Sequence, residues 1–307
     1  MADGPEGFKE LGRWLSNWGR WGDEDQLGTL NLITPERIVA AAGLVKRGVA
    51  FDLGMALDDS GPQTGVNRRN NAIHMMTIID ENRPAGMMLA DDMAVLSLQA
   101  ATQWDALAHV GYDGYTYNGA LTSEVTTAGA TRNSIDKLGA RVVGRGVLLD
   151  VARSEDVRRL DGGFEVTPEI LERVEREQGV RVGSGDIVIV RTGWQTLLHD
   201  GEAPRYMKGS APGLGLGCCE WLHEREVAAV AGDTQAVEVK PPRDPVATHP
   251  VHMVLLRDMG MTVGEMFELE ELATDCAADG IWEFLFSAQP LKITGAVGSP
   301  ITPVAIK

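Results

Sequence analysis

From Val142 onward the chain alternates short, continuously apolar runs with amphipathic helical stretches, and few folds accommodate that pattern. Gly146-Val-Leu-Leu-Asp-Val151, Ile187-Val-Ile-Val-Arg-Thr-Gly193 and Val227-Ala-Ala-Val-Ala-Gly-Asp233 read as buried strands. A strand that is apolar on both faces must be covered on both, which points to an at least partly parallel sheet between helices. The helices are legible too. Thr167-Pro-Glu opens one that Gly179 ends, Glu220 to Glu226 forms another, and a third runs from Glu268 to Ala278 before a strand at Trp282 to Phe286. The expected fold class is α/β, a compact sandwich with a mixed, partly parallel sheet.

The first half is less regular. Thr34 as N-cap, Pro35 at the first position and Glu36 in the first turn start a helix that should run through Val45 and stop at Gly48. Val49 to Leu57, His74 to Ile79 and Met93 to Leu98 read as strands, the last leading into Gln99, with a polar loop at 61–72. Residues 1–33 carry Trp14, Trp18 and Trp21, whose bulk needs burial against the body, a partner subunit or a pocket. No repeat, low-complexity tract or linker interrupts the chain. A single catalytic domain spanning 1–307, with 1–33 as a tryptophan-rich extension, is the expectation.

Composition narrows the function classes. The formal net charge of −16 is spread along the chain, which disfavours nucleic acid and anionic membranes as partners. No apolar run approaches the ~18 residues of a membrane span, and the start lacks the basic and apolar regions of a signal peptide. Cys218, Cys219 and Cys276 have neither disulfide nor zinc spacing and read as buried thiols in a reducing cytoplasm. A Gly-x-Ser-x-Gly elbow, a His-Glu-x-x-His motif and a dinucleotide fingerprint are all missing from the sequence.

Chemistry concentrates in Ser97 to His109, which holds Gln99, Gln103, Asp105 and His109. In an extended backbone Gln99, Gln103 and Asp105 share a face. Asp105 can then cap a helical turn that brings His109 back over it. The competing reading is a polar strand end followed by a capped helix. His252 leads an apolar run and reads equally as a core histidine, and Thr262-x-x-Glu265 reads equally as a capping box. His74, where a loop enters a strand, is either structural or a substrate contact.

The run Gln99-Ala-Ala-Thr-Gln-Trp-Asp-Ala-Leu-Ala-His109 resembles the signature His-x-Gly-Thr-His-x-Asp-x-Pro-x-His of the cyclase family of metal-dependent hydrolases. Kynurenine formamidases, isatin hydrolases and trans-dienelactone hydrolases belong to that family. Gly185-Asp-Ile-Val-Ile-Val-Arg-Thr-Gly-Trp194, Glu220-Trp-Leu, Ala231-Gly-Asp-Thr234 and the block from His252 to Glu265 are similar as well. The resemblance implies a swivelling β/β/α sandwich assembled as a homodimer or homotetramer. It also implies metal ligands at Asp105, His252 and Glu265, with His109 as the acid/base.

Both metal histidines of the signature are glutamine here, Gln99 and Gln103. An amide oxygen is a neutral, weaker ligand than imidazole, so one divalent ion, zinc or manganese, held by Asp105, His252 and Glu265 with help from Gln99 or Gln103, is expected rather than a pair, with Asp105 and His109 as the catalytic residues. Trp104, Tyr115 of the Tyr112/Tyr115/Tyr117 loop, Trp194 and His74 are the candidate substrate contacts. The function implied is cleavage of a small cyclic amide, lactone or N-acyl bond. A metal-independent cyclase or lyase acting on a polyketide-like or aromatic substrate, or a non-catalytic binding protein, stands as the alternative.

Overall fold

The computed structural model describes residues 7–63, 65, 68–244 and 247–307. Its centre is a nine-stranded mixed sheet, and the three apolar runs lie side by side in it as Val143–Asp150, Ile187–Arg191 and Ala229–Gly232. These strands are parallel, and Thr262–Glu265 continues the parallel block. Beyond it Gln103–Asp105 and then Gly298–Pro300 pair antiparallel. On the other side Glu283–Ser287, Val304–Ile306 and Ala50–Asp52 complete the sheet antiparallel. The α/β class with a mixed, partly parallel sheet is as the sequence pattern implies.

Residue alternation sorts the strands' side chains into two cores. Val147, Leu149, Val188 and Val190 face one core, with Leu171 and Val174 of helix Pro168–Gln178. Leu148, Ile187 and Ile189 face the other, with Leu272 and Cys276 of helix Glu270–Asp279. Both sheet faces are therefore buried, which is why these strands carry no polar stripe. All three cysteines are buried free thiols.

Several boundaries differ from the sequence reading. The helix capped by Thr34, whose Oγ1 accepts from the Arg37 N–H at 3.4 Å, spans Pro35–Ala42 and ends at Gly43 rather than Gly48. Leu44 and Val45 instead bond three residues back, unwinding the chain. The strand read at Val49 to Leu57 is only Ala50–Asp52, because the Asp52 carboxylate accepts from the Gly54 N–H and turns the backbone. Residues 1–6 of the extension and 64, 66 and 67 of the loop lie outside the described residues.

Ile73–Asp80 and Leu89–Val95 form a hairpin that joins no other sheet among the described residues. It is exposed on both faces, with Ile73, Met75, Met76, Ile78, Ile79, Met93 and Val95 all in contact with solvent. This second strand stops at Val95, so Gln99 sits in a turn and not on a strand. No helix among the described residues is long and apolar enough to cross a membrane.

Candidate active site

The site is built where the parallel block meets its antiparallel neighbour. Gln103 lies directly opposite Glu265, and Asp105 opposite Val263, so Gln103, Asp105 and Glu265 share one face. Trp104 points the other way into the core. It packs edge-on against Phe267 and Phe286, and its indole N–H donates to the Ala288 carbonyl at 2.8 Å. A Cβ at position 264 would lie 2.5 Å from that indole, so the strand beside it needs glycine there.

His252 arrives from the helical turn Pro250–His252, which continues as a π-helix through Met253–Met259. Gly260, at φ +66°, reverses the chain against the ring of Tyr117 and feeds it into strand Thr262–Glu265. The Thr262 hydroxyl then donates to the Asp105 carbonyl at 2.5 Å. Thr262 and Glu265 thus belong to a strand. The capping-box reading fails, and Glu265 is left free for chemistry.

The cluster is buried and tightly interlocked. His252 Nε2 lies 3.1 Å from Glu265 Oε1 and 3.8 Å from Asp105 Oδ2. On its other side, His252 Nδ1 bonds to Glu238, which also accepts from the backbone N–H groups of Val251 at 3.1 Å and His252 at 3.3 Å. Gln103 Nε2 donates to Glu265 at 2.7 Å and more weakly to Asp105 at 3.4 Å. Burial disfavours charge on His252, but Glu238 and Glu265 outweigh it and raise its pKa to about 10. Burial raises the Asp105 pKa to about 6, with His109 and His252 pulling it down and Glu265 pushing it up. Burial also opposes charge on Glu265, yet its bond to His252 holds its pKa below the usual value.

His109 returns over Asp105 through a turn rather than a capped helix. Its N–H donates to the Ala106 carbonyl at 2.8 Å, and Nε2 stands 3.8 Å from Asp105 Oδ1. Asp105 is therefore a strand residue, not an N-cap. Above the cluster opens a cavity of about 310 Å³, lined by Arg69, His109, Lys240, His249, His252 and Glu265 among others.

One donor atom each from Asp105, His252 and Glu265 lies within 4.8 Å of the other two. Asp105 Oδ2 is buried with no hydrogen-bond partner, a costly arrangement unless a cation meets it. Glu238 fixes the His252 tautomer from behind, as a carboxylate behind a ligating imidazole does. The residues present fit a single divalent ion with a position open to substrate.

The remaining sequence candidates are placed otherwise. Gln103 turns its N–H₂, not its oxygen, toward the carboxylates, and its Oε1 is buried without a partner. The Gln99 amide lies over Gly298, which pairs opposite Asp105, but it bonds to none of the cluster among the described residues. Trp104 and Trp194 are core residues, the latter packed with Leu197 and Tyr206, so neither walls the cavity. Tyr115 is exposed and packs edge-on against Trp18. His74 sits on the hairpin, paired with Asp92 at 2.7 Å. Tyr112 and Tyr117 are not a flap: their hydroxyls donate to Asp258 and Asp25 and fasten this loop to its neighbours.

Sequence reasoning passed over Glu238, Lys240 and Arg69. The available signal for Glu238 was a lone carboxylate in Ala-Val-Glu-Val, a position too apolar for a solvated side chain.

A cyclase family model matches residues 51–239. The chain belongs to the cyclase family. Among solved structures, one described as a novel cyclase is 39% identical, covers 95% of this chain and 99% of its own, and superposes with a TM-score of 0.88. Isatin hydrolase A from Labrenzia aggregata, bound to benzyl benzoate, is 21% identical over 88% of this chain and 97% of its own, with a TM-score of 0.64. A structure described as a predicted metal-dependent hydrolase from Bacillus stearothermophilus is 14% identical over 85% and 98%, with a TM-score of 0.54. These last two share the fold with this chain. No curated protein matches the chain.

Proposed function

We propose that this cyclase-family protein is a hydrolase that cleaves a small cyclic amide, lactone or N-acyl bond with the help of one divalent ion, zinc or manganese. The observation that carries the reading is the buried Asp105–His252–Glu265 cluster, one Asp105 oxygen without a hydrogen-bond partner among the described residues, opening onto a cavity beside His109. Asp105, His252 and Glu265 hold the ion, with Glu238 orienting His252. Such an ion, when bound, acidifies water and polarises the scissile carbonyl. His109 moves a proton to the leaving nitrogen or oxygen. Gln103 bridges the two carboxylates as their shared hydrogen-bond donor.

Elemental analysis of untagged protein, with a chelator titration against a panel of lactones, cyclic imides and formamides, tests the reading. One equivalent of zinc or manganese and chelator-sensitive turnover are expected. With folding intact, His109→Ala should slow hydrolysis ~100- to 10,000-fold, the range of a positioned acid/base; unchanged kcat removes His109 from the mechanism.

One observation favours a second reading. Gln103 and the His252 imidazole already tie Asp105 and Glu265 together, so a metal-independent cyclase or lyase with His109 and Asp105 as its acid/base pair is the competing assignment. Turnover that survives complete chelation would select it.

The proposed partners are a small-molecule substrate and further copies of the same chain in the cytoplasm, not nucleic acid or membrane. The exposed apolar hairpin supports assembly, since contiguous apolar surface of this kind marks contact regions. Replacing Ile73–Asp80 and Leu89–Val95 with a short Gly-Ser linker should convert the oligomer to a monomer in light scattering. A monomeric parent protein would defeat this assignment.

A further inference from the structure

The cavity over the cluster carries two cations that feel its carboxylates, Arg69 those of Asp105 and Glu265 and Lys240 those of Glu265 and Glu238, yet close on none of them among the described residues. Arg69 and Lys240 both line it. Among the described residues neither makes an ion pair, and the Arg69 side chain has one long hydrogen bond, 3.5 Å to the Gln99 carbonyl. The Lys240 ammonium has none, although burial lowers its pKa against the pull of Glu265 and Glu238. The Lys240 backbone is held at the cavity, its N–H and C=O both bonded to Ala211 at 2.9 Å.

Other partly buried cations are closely paired. Partly buried Arg145 binds Asp186 and Glu283, Arg191 binds Asp150 and Glu270, and Lys307 binds Asp275 and Asp279. With 44 acidic side chains to 28 basic ones, acceptors are in excess, and two cations at one cavity with no carboxylate at ion-pair distance among the described residues leave a place for an anion from outside.

Building on the hydrolase reading, we infer that the substrate carries a carboxylate, which Lys240 and Arg69 hold while its scissile group lies against His109 and Glu265. A carboxylate suits the site better than a phosphate. Phosphate sites draw on backbone N–H groups at a helix start, and the N–H groups of Val251 and His252 are already taken by Glu238. At about 310 Å³ the cavity has room for a single ring and its acid group.

Calorimetric binding of benzoate, benzamide and inorganic phosphate to the full-length protein, before and after EDTA treatment, tests this without turnover. Benzoate should bind at least about tenfold tighter than benzamide, and Lys240→Met or Arg69→Met should erode that preference by roughly ten- to a hundredfold, the value of a charge-assisted bond. Lys240→Arg should restore most of it. The inference is overturned by equal binding of benzoate and benzamide, by no benzoate binding, by tighter binding of phosphate, or by a preference that survives both methionine variants. It is also overturned if EDTA abolishes the preference while Lys240→Met keeps it, since the ion would then hold the carboxylate. These wild-type comparisons stand even if a variant misfolds. A protein that prefers benzoate but hydrolyses nothing would sink the hydrolase reading and leave this one intact.

Discussion

The Asp105→Asn protein is expected to fold at least as stably as the parent above pH 6 in EDTA, yet to bind no stoichiometric divalent ion. Burial raises the Asp105 pKa from 3.8 to about 6, so its ionised form is disfavoured in the folded state. The folded chain therefore holds more protons than the unfolded one between those values, and stability falls as pH rises through that window. Above pH 6 the full penalty applies, and asparagine removes it. Thermal unfolding with EDTA at pH 4.5 and pH 8 should show the variant gaining on the parent as pH rises. Turnover with added ion should drop about a thousandfold, since a bound ion contributes several kcal/mol and each 1.36 kcal/mol is a factor of ten. A residue kept for the fold would behave in the opposite way. A variant that loses stability and still binds the ion assigns Asp105 to the scaffold.

How much of this was legible in the sequence depended on which interaction decided each element. The parallel strands were visible because burial on both faces leaves a continuous apolar run, as in Ile187–Arg191. Asp105 and His109 stood out because four polar side chains crowd a short segment. The conformation of that segment was not readable: Gln103–Asp105 is held as a strand by Thr262–Glu265 and Gly298–Pro300, about 160 and about 195 residues downstream. The same long-range pairing turned Thr262-x-x-Glu265 from a helix start into a strand. Trp104 and Trp194 were read as a cavity wall because residue type gives no direction; alternation with Asp105 sends Trp104 to the opposite core. Glu238 was missed for the converse reason. Its meaning lies in the pairing with His252, and nothing local announces that pairing.

Glu238→Gln should weaken divalent-ion binding about 10- to 100-fold, and the loss should depend on pH. Glu238 bonds to His252 Nδ1 and accepts from two backbone N–H groups at the start of the same helical turn. Glutamine keeps one acceptor oxygen for those groups and discards the charge. Two effects of that charge then oppose each other. It makes the imidazole a better ligand, but with Glu265 it also raises the His252 pKa to about 10, so at neutral pH a proton competes for Nε2. Ion affinity of the parent should therefore climb with pH toward about 10, whereas the variant should reach its plateau earlier. In EDTA the sign reverses. The imidazolium stabilises the fold fully below about pH 6.5 and is lost as pH rises through about 10, so parent stability declines over that range and the variant declines sooner. Glu238→Ala, which strands a buried imidazolium beside unfilled N–H groups, should cost about 3–5 kcal/mol. Ion titrations of parent and Glu238→Gln at pH 6.5, 8 and 9.5 separate the two effects: the gap between them should widen with pH. A gap of the same size at every pH would mean that Glu238 only braces the helix start and leaves the protonation of His252 to Glu265 alone.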